Sequence, residues 1–179
     1  MLKIDDTVLV IIDVQGKLAT LMHRKDEFFA NLVKMVRGAK VLEIPILWNE
    51  QLPDKLGPTI PELKEVLADT PLYVKKTFSC CGLDSFNAAL TKQGRKQILL
   101  MGMETHICVY QSAIDLLRLG HEVHVIADCV SSRIPHNIQI GLDAMKDAGA
   151  KITSLEMALF DLMQVAEGDK FRQIVKIIK

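Results

Sequence analysis

Two patterns of apolar residues alternate along this chain. In the first, short unbroken runs appear at Thr7–Asp13, Ile44–Trp48, Leu72–Lys75, Gln97–Gly102, Glu122–Ala127 and Lys151–Ser154. Runs of this length, apolar at successive rather than alternate positions and rich in Val, Ile and Leu, predict strands buried on both faces. In the second, apolar residues recur every three or four positions. Glu27 to Glu43 carries Phe28, Leu32, Met35, Val36 and Ala39 on one stripe, which predicts a helix. Shorter helices are predicted over Glu62–Ala68, over Ser85–Gln93 stopping at Gly94, over His106–Leu119 stopping at Gly120, and over Asn137–Ala148 ending at Gly149. The tail through Phe171 and Ile178 reads as mostly helical, and Asn49–Pro61, with Pro53, Gly57, Pro58 and Pro61, as a loop.

Strands separated by helices imply βαβ units and a mostly parallel sheet covered on both sides. Repeats, low-complexity tracts and interdomain linkers are missing. The expectation is one domain over residues 1–179, a three-layer α/β/α Rossmann-like fold whose six strands lie in the order 3-2-1-4-5-6. Composition agrees: 49% of the 179 residues are hydrophobic, enough for a substantial core.

Charge narrows the partners. Lys+Arg and Asp+Glu both total 22, so the net charge is zero and the basic footprint of a nucleic-acid binder is lacking. No apolar run spans a bilayer, and Met1–Asp6 lacks the apolar stretch of a secretory signal. Four cysteines (Cys80, Cys81, Cys108, Cys129) are too few for a disulfide framework in a chain of this size. A reducing, cytoplasmic setting and a small-molecule substrate are expected, with neither nucleic acid nor membrane as partner.

Open parallel sheets bind ligands beyond the carboxyl ends of their strands, where strand order reverses. In the order above, that crevice lies between the first strand, ending at Asp13, and the fourth, ending at Gly102 and followed by Met103-Glu104-Thr105-His106-Ile107-Cys108. Cys108 falls near the start of a helix, where unpaired N–H groups favour a thiolate and can hold an oxyanion; alternatively it is a buried structural cysteine. Asp13, ending an apolar strand, needs a partner to offset desolvation: a helix N-terminus, a lysine or a proton. Gln15 is placed to orient Asp13 or a substrate. Lys75 and Lys76 end the third strand, and a lysine near Asp13 and Cys108 would favour their anions, although most lysines are solvated. Trp48 and Phe78, near strand ends, line the pocket or pack in the core. Cys80 and Cys81 read as packing or incidental, His106 as a surface or interface residue, and Met157–Met163 as core or subunit contact.

These residues also match a family. Gly102-Met-Glu-Thr-His-Ile-Cys108-Val109 resembles the Gly-x-x-Thr-x-x-Cys-Val signature of isochorismatase-like cysteine hydrolases. Asp13-Val-Gln15 resembles their Asp-x-Gln, Lys75-Lys-Thr-Phe-Ser79 their Lys followed four residues later by Ser, and Gly120–Asp128 their Gly-x-x-Val-x-Val-x-x-Asp segment. The match is colinear from about Thr7 to Ala150. Asn49–Pro58 and Asp128–Arg133 look most like the small isochorismatase-domain-containing proteins of unassigned substrate. The resemblance implies a Cys108 nucleophile, an Asp13 base and a Lys75 cation, with Lys76 one residue away as the other choice. It implies a non-proline cis peptide at Met103–Glu104, turning the Glu104 N–H toward the Cys108 N–H as a two-donor oxyanion hole, and it suggests a homo-oligomer.

One segment departs from a related pattern. Nicotinamidases, which resemble this family, place an Asp-x-His metal site after the second strand. Here that segment reads Trp48-Asn49-Glu50-Gln51, and Glu50 with Asp54 does not make a transition-metal site. No metal or cofactor is expected. The expected reaction is hydrolysis of a small amide, imide or similar C–N compound through a Cys108 thioester, with C–O cleavage open. The alternatives are a thiol-redox protein using Cys108, which has no Cys-x-x-Cys pair, and a non-catalytic interaction protein on the same fold.

Overall fold

All six residues of Thr7–Ile12 are buried, and the computed structural model of residues 1–179 shows why their run is unbroken. They form β1, the central strand of a sheet covered on both faces. Leu9 and Ile11 point into one apolar cluster, Val8, Val10 and Ile12 into a second. The two-residue period of a strand is present, hidden because both faces are dry.

In chain order the elements are β1 (Thr7–Ile12), α1 (Gly16–Ala19), α2 (Lys25–Val41), β2 (Ile46–Gln51), α3 (Pro53–Leu56), α4 (Pro61–Val66), β3 (Leu72–Lys75), α5 (Asp84–Gln93), β4 (Gln97–Met103), α6 (Tyr110–Arg118), β5 (Glu122–Ser131), α7 (Pro135–Asp147), β6 (Lys151–Thr153), α8 (Leu155–Met163) and α9 (Gly168–Ile178). The sheet order is β3-β2-β1-β4-β5-β6, as expected from the sequence, and every neighbouring pair is parallel. The first cluster lies under α2, α4, α8 and α9, the second under α5, α6 and α7. The stripe expected on α2 is buried as a unit: Phe28, Leu32, Met35, Val36 and Ala39. No helix is long and apolar enough to cross a membrane.

Two strands run further than their apolar runs. β2 continues to Gln51 because Asn49, Glu50 and Gln51 still pair with Tyr73, Val74 and Lys75. β5 continues to Ser131 through a register shift opposite Leu100 and Gly102. The irregularity turns Asp128 outward, where its carboxylate accepts the Leu155 N–H at the start of α8 (2.7 Å). Cys129 therefore lies within β5, fully buried, rather than beyond its end. The helix expected from His106 begins instead as a wider π-helical turn, Thr105–Val109, before α6.

Candidate active site

β1 and β4 lie side by side, with Ile12 opposite Gly102, so the chain segments that leave them share one crevice. Both strands end in left-handed backbone. Gly102 has φ 146°, and a Cβ there would stand 2.3 Å from the Ile12 carbonyl oxygen. Asp13 (φ 54°) and Glu104 (φ 57°) adopt positive φ without being glycine. Such conformations cost of order 1–3 kcal/mol each and cluster at functional sites. The expected cis bond at Met103–Glu104 is not found: every peptide bond is trans. Positive φ at Gly102 and Glu104 makes the turn instead.

Asp13 is 2% exposed and Lys75 1%. In the order β3-β2-β1 their strands are separated by β2, about 10 Å apart at two strand spacings, and only a side chain of lysine's length closes that gap. Lys75 Nζ donates to Asp13 Oδ2 (2.6 Å) and to the carbonyls of Thr77 and Phe78 (both 2.9 Å), which uses all three of its protons. Lys76 is exposed, so Lys75 is the lysine that reaches Asp13. Asp13 Oδ1 is buried with no hydrogen-bond partner.

Cys108, on the π-helical turn, is buried beside this pair. Its Sγ lies 4.0 Å from Gln51 Oε1 at the end of β2. Burial first, and the neighbouring Asp13 carboxylate second, push its thiol up to about 12, against the opposing pull of Lys75. Burial likewise raises the Asp13 carboxyl above its ordinary value, while Lys75 and Cys108 act to lower it. At neutral pH the sulfur rests as a thiol beside the Asp13–Lys75 pair. The structure places Asp13, Lys75 and Cys108 side by side.

Other side chains fix the turn that carries Cys108. Ser132 Oγ, beyond β5, accepts the Thr105 N–H (3.0 Å) and meets His106 Nδ1 (3.1 Å). His106 also contacts Asn137 on α7 (3.2 Å), so it belongs to this scaffold and not to the open surface. Glu104, 4% exposed, accepts from Arg133 Nε (2.6 Å). Gly141 of α7 lies so near Thr105 that a Cβ would stand 2.9 Å from its carbonyl carbon. Sequence reading gave no site role to Gln51, Ser132 and Arg133; their place at or just beyond strand ends was the available signal.

Two expected substrate contacts are corrected. Gln15 is fully buried, and its amide is committed to backbone: Nε2 donates to the Gln51 and Gly57 carbonyls (2.9 and 2.8 Å), and Oε1 accepts the Gln51 N–H (2.6 Å). It anchors the loop after β2. Trp48 packs in the first cluster, away from Cys108 in the second, and its indole N–H binds the Thr70 carbonyl (3.0 Å). Phe78 is half-exposed, and its carbonyl is one of the acceptors of Lys75. Glu50, considered as a metal ligand, accepts the Thr59 N–H (2.6 Å).

The molecule is thus a doubly wound parallel α/β protein with a buried carboxylate, lysine and cysteine at its switch point. The chain matches the isochorismatase domain model over residues 7–157, and it belongs to that family. It is 36% identical to the secreted isochorismatase effector Isc1 of Phytophthora sojae, over 97% of this chain and 84% of that protein. It is 35% identical to isochorismatase domain-containing protein 2 of Xenopus laevis, over 96% and 83% respectively. Among solved structures, the MAR1 ribonuclease of Caenorhabditis elegans superposes with TM-score 0.93 at 33% identity, covering 99% of this chain and 91% of that one. The YcaC gene product of Escherichia coli, described as an octameric hydrolase of unknown specificity, shares the fold at TM-score 0.93 and 23% identity, over 99% and 88%.

Proposed function

We propose that this protein is a cysteine hydrolase of small amides, imides or related C–N compounds, with Cys108 as nucleophile, Asp13 as general base and Lys75 as the cation that holds Asp13. One observation carries the reading: a fully buried Lys75–Asp13 pair at 2.6 Å, set beside a buried thiol. A buried ion pair is a poor source of net stability. It serves well to keep a carboxylate oriented in a dry site.

Asp13 removes the Cys108 proton as sulfur attacks the substrate carbonyl carbon, and the carbonyl electrons move to oxygen. The Cys108 N–H on the π-helical turn holds that oxyanion; with every peptide bond trans, the arrangement expected to add the Glu104 N–H is not present. Collapse breaks the C–N bond, and the amine leaves with the proton from Asp13. Asp13 then deprotonates water, which attacks the thioester. The acid departs, and Cys108 regains its proton. The net change is amide plus water to acid plus amine.

The C. elegans relative is named a ribonuclease. Zero net charge and the dry, uncharged-thiol site support a small molecule over RNA for this chain. We also read residues 1–179 as one domain in a reducing, cytoplasmic setting, since all four cysteines are free. A homo-oligomer is supported by the octameric YcaC gene product of Escherichia coli, which shares the fold.

The test is a panel of small amides, imides and ureides with RNA as a separate arm, read by product release and by intact mass. Hydrolysis of a panel member, lost in Cys108→Ser by about a thousandfold or more, is expected. RNA cleavage with the whole panel untouched would overturn the reading.

A further inference from the structure

The adjacent cysteines read in sequence as incidental, but the fold separates their chemistry. Cys80 is fully buried in the second cluster, its N–H donating to Ser112 Oγ on α6 (3.0 Å). Cys81 is half-buried, its N–H donating to Ser79 Oγ (3.2 Å). It lines a surface cavity of about 600 Å³ between the segment after β3 and helices α5 and α6, and the cavity walls do not include Asp13, Lys75 or Cys108.

The walls suit a small acidic molecule. Lys76 and Arg118 supply two cations against one carboxylate, Asp115, which Arg118 holds at 3.2 Å. Lys76 has no carboxylate partner. Asn87 donates through Nδ2 to the Cys81 carbonyl (2.7 Å), which fixes the backbone that carries the thiol. Gln111 adds a second amide, and Phe78 an exposed apolar edge.

The four thiols also differ in readiness to ionise. Burial drives Cys80 and Cys129 well above the ordinary thiol range, and Cys108 up to about 12. Cys81 lies below its ordinary value, held there first by a hydrogen bond with the Cys80 thiol, against burial next in size; a hydrogen bond with Ser79 also lowers it, and the Asp115 carboxylate raises it. Reactivity follows thiolate character and access.

We propose that Cys81 is a covalent modification site that takes up one half of a small, carboxylate-bearing disulfide within this cavity. The Cys81 thiolate attacks one sulfur of the disulfide R–S–S–R. A Cys81–S–S–R bond forms, the original S–S bond breaks, and R–S⁻ leaves to be protonated by solvent. The incoming disulfide is the oxidant, and one of its sulfurs is reduced to the released thiol. The assignment does not rest on hydrolysis at Cys108, so the two stand or fall separately.

The full-length protein, incubated at low ionic strength with glutathione disulfide or with the cationic disulfide cystamine, decides it. Peptide mass mapping is expected to find one mixed disulfide, on Cys81. After each rate is divided by that reagent's rate with free cysteine, the acidic reagent is expected to react about tenfold faster. Lys76→Gln should remove most of that preference, Cys81→Ser should take up no adduct, and Cys108→Ser should be modified like the wild type. A first adduct on Cys80, Cys108 or Cys129 would overturn the proposal. So would equal normalised rates, or a mass loss without an adduct, which marks a Cys80–Cys81 disulfide.

Discussion

Asp13 and Cys108 each resist ionising because each is buried, and the carboxylate of one adds to the cost for the other. Lys75 offsets that cost for a single negative charge, carried by Asp13 at rest and by sulfur during attack. The pH dependence follows. Asp13 must be ionised to accept the thiol proton, and its pKa is raised above 3.8. Hydrolysis should therefore fall, as pH is lowered, at a higher pH than an ordinary aspartate would give; a kcat/KM profile of any substrate found in the amide panel checks this. Stability tests the pair separately. Lys75→Met leaves Asp13 buried without its cation and is expected to lower unfolding stability by about 3–5 kcal/mol in urea titration. Asp13, Lys75 and Cys108 were legible in the sequence because each ends an apolar run or follows one, and because they fall on family motifs. Gln51 and Ser132 were not, since a polar residue beyond a strand looks the same whether it faces a site or solvent. Trp48 was left open between pocket and core, and lies in the core, because an unbroken apolar run does not reveal which parity faces which layer.

Among the elements, two glycines set how closely the site's parts approach. Gly102 lets β4 pass the end of β1 where a side chain would strike the Ile12 carbonyl at 2.3 Å, and its φ of 146° is one that L side chains rarely adopt. Gly102→Ala is expected to cost more than about 2 kcal/mol, read as a lowered urea midpoint with unchanged slope. Gly141 lets α7 rest on the turn that carries Cys108. The six strands and the principal helices were visible in the sequence as periodicities. Their ends were not, because β2 and β5 are prolonged by hydrogen bonds to neighbours that single-strand patterns do not encode. The π-helical turn was hidden for a similar reason: Thr105–Val109 keeps an apolar spacing that an α-helix would also show.

At the level of the whole molecule, two apolar layers cover one parallel sheet, and the reversal of strand order between β1 and β4 opens the crevice. Strand–helix alternation pointed to the parallel, doubly covered sheet, whereas the strand order expected was the commonest arrangement of such folds and is the one observed. Assembly was not legible, because an apolar residue on the surface reads the same in sequence whether or not a partner covers it. Light scattering on the purified chain is expected to give a mass that is a multiple of the 20.0 kDa protomer, and a monomer across working concentrations would contradict the proposed oligomer. The central claim is that Asp13 and Cys108 act together as base and nucleophile, and it can be tested without the natural substrate. p-Nitrophenyl acetate is a small activated acyl donor, and rapid-quench intact mass with peptide mapping follows its fate on the protein. The account predicts a transient acetyl group on Cys108 in the wild type and, in Asp13→Asn, acylation slowed by about a hundredfold or more. A wild type that never carries acetyl on Cys108, or acylation of Cys108 at the wild-type rate without the Asp13 carboxylate, would contradict it; acetyl on the surface thiol of Cys81 bears only on the separate proposal for that residue.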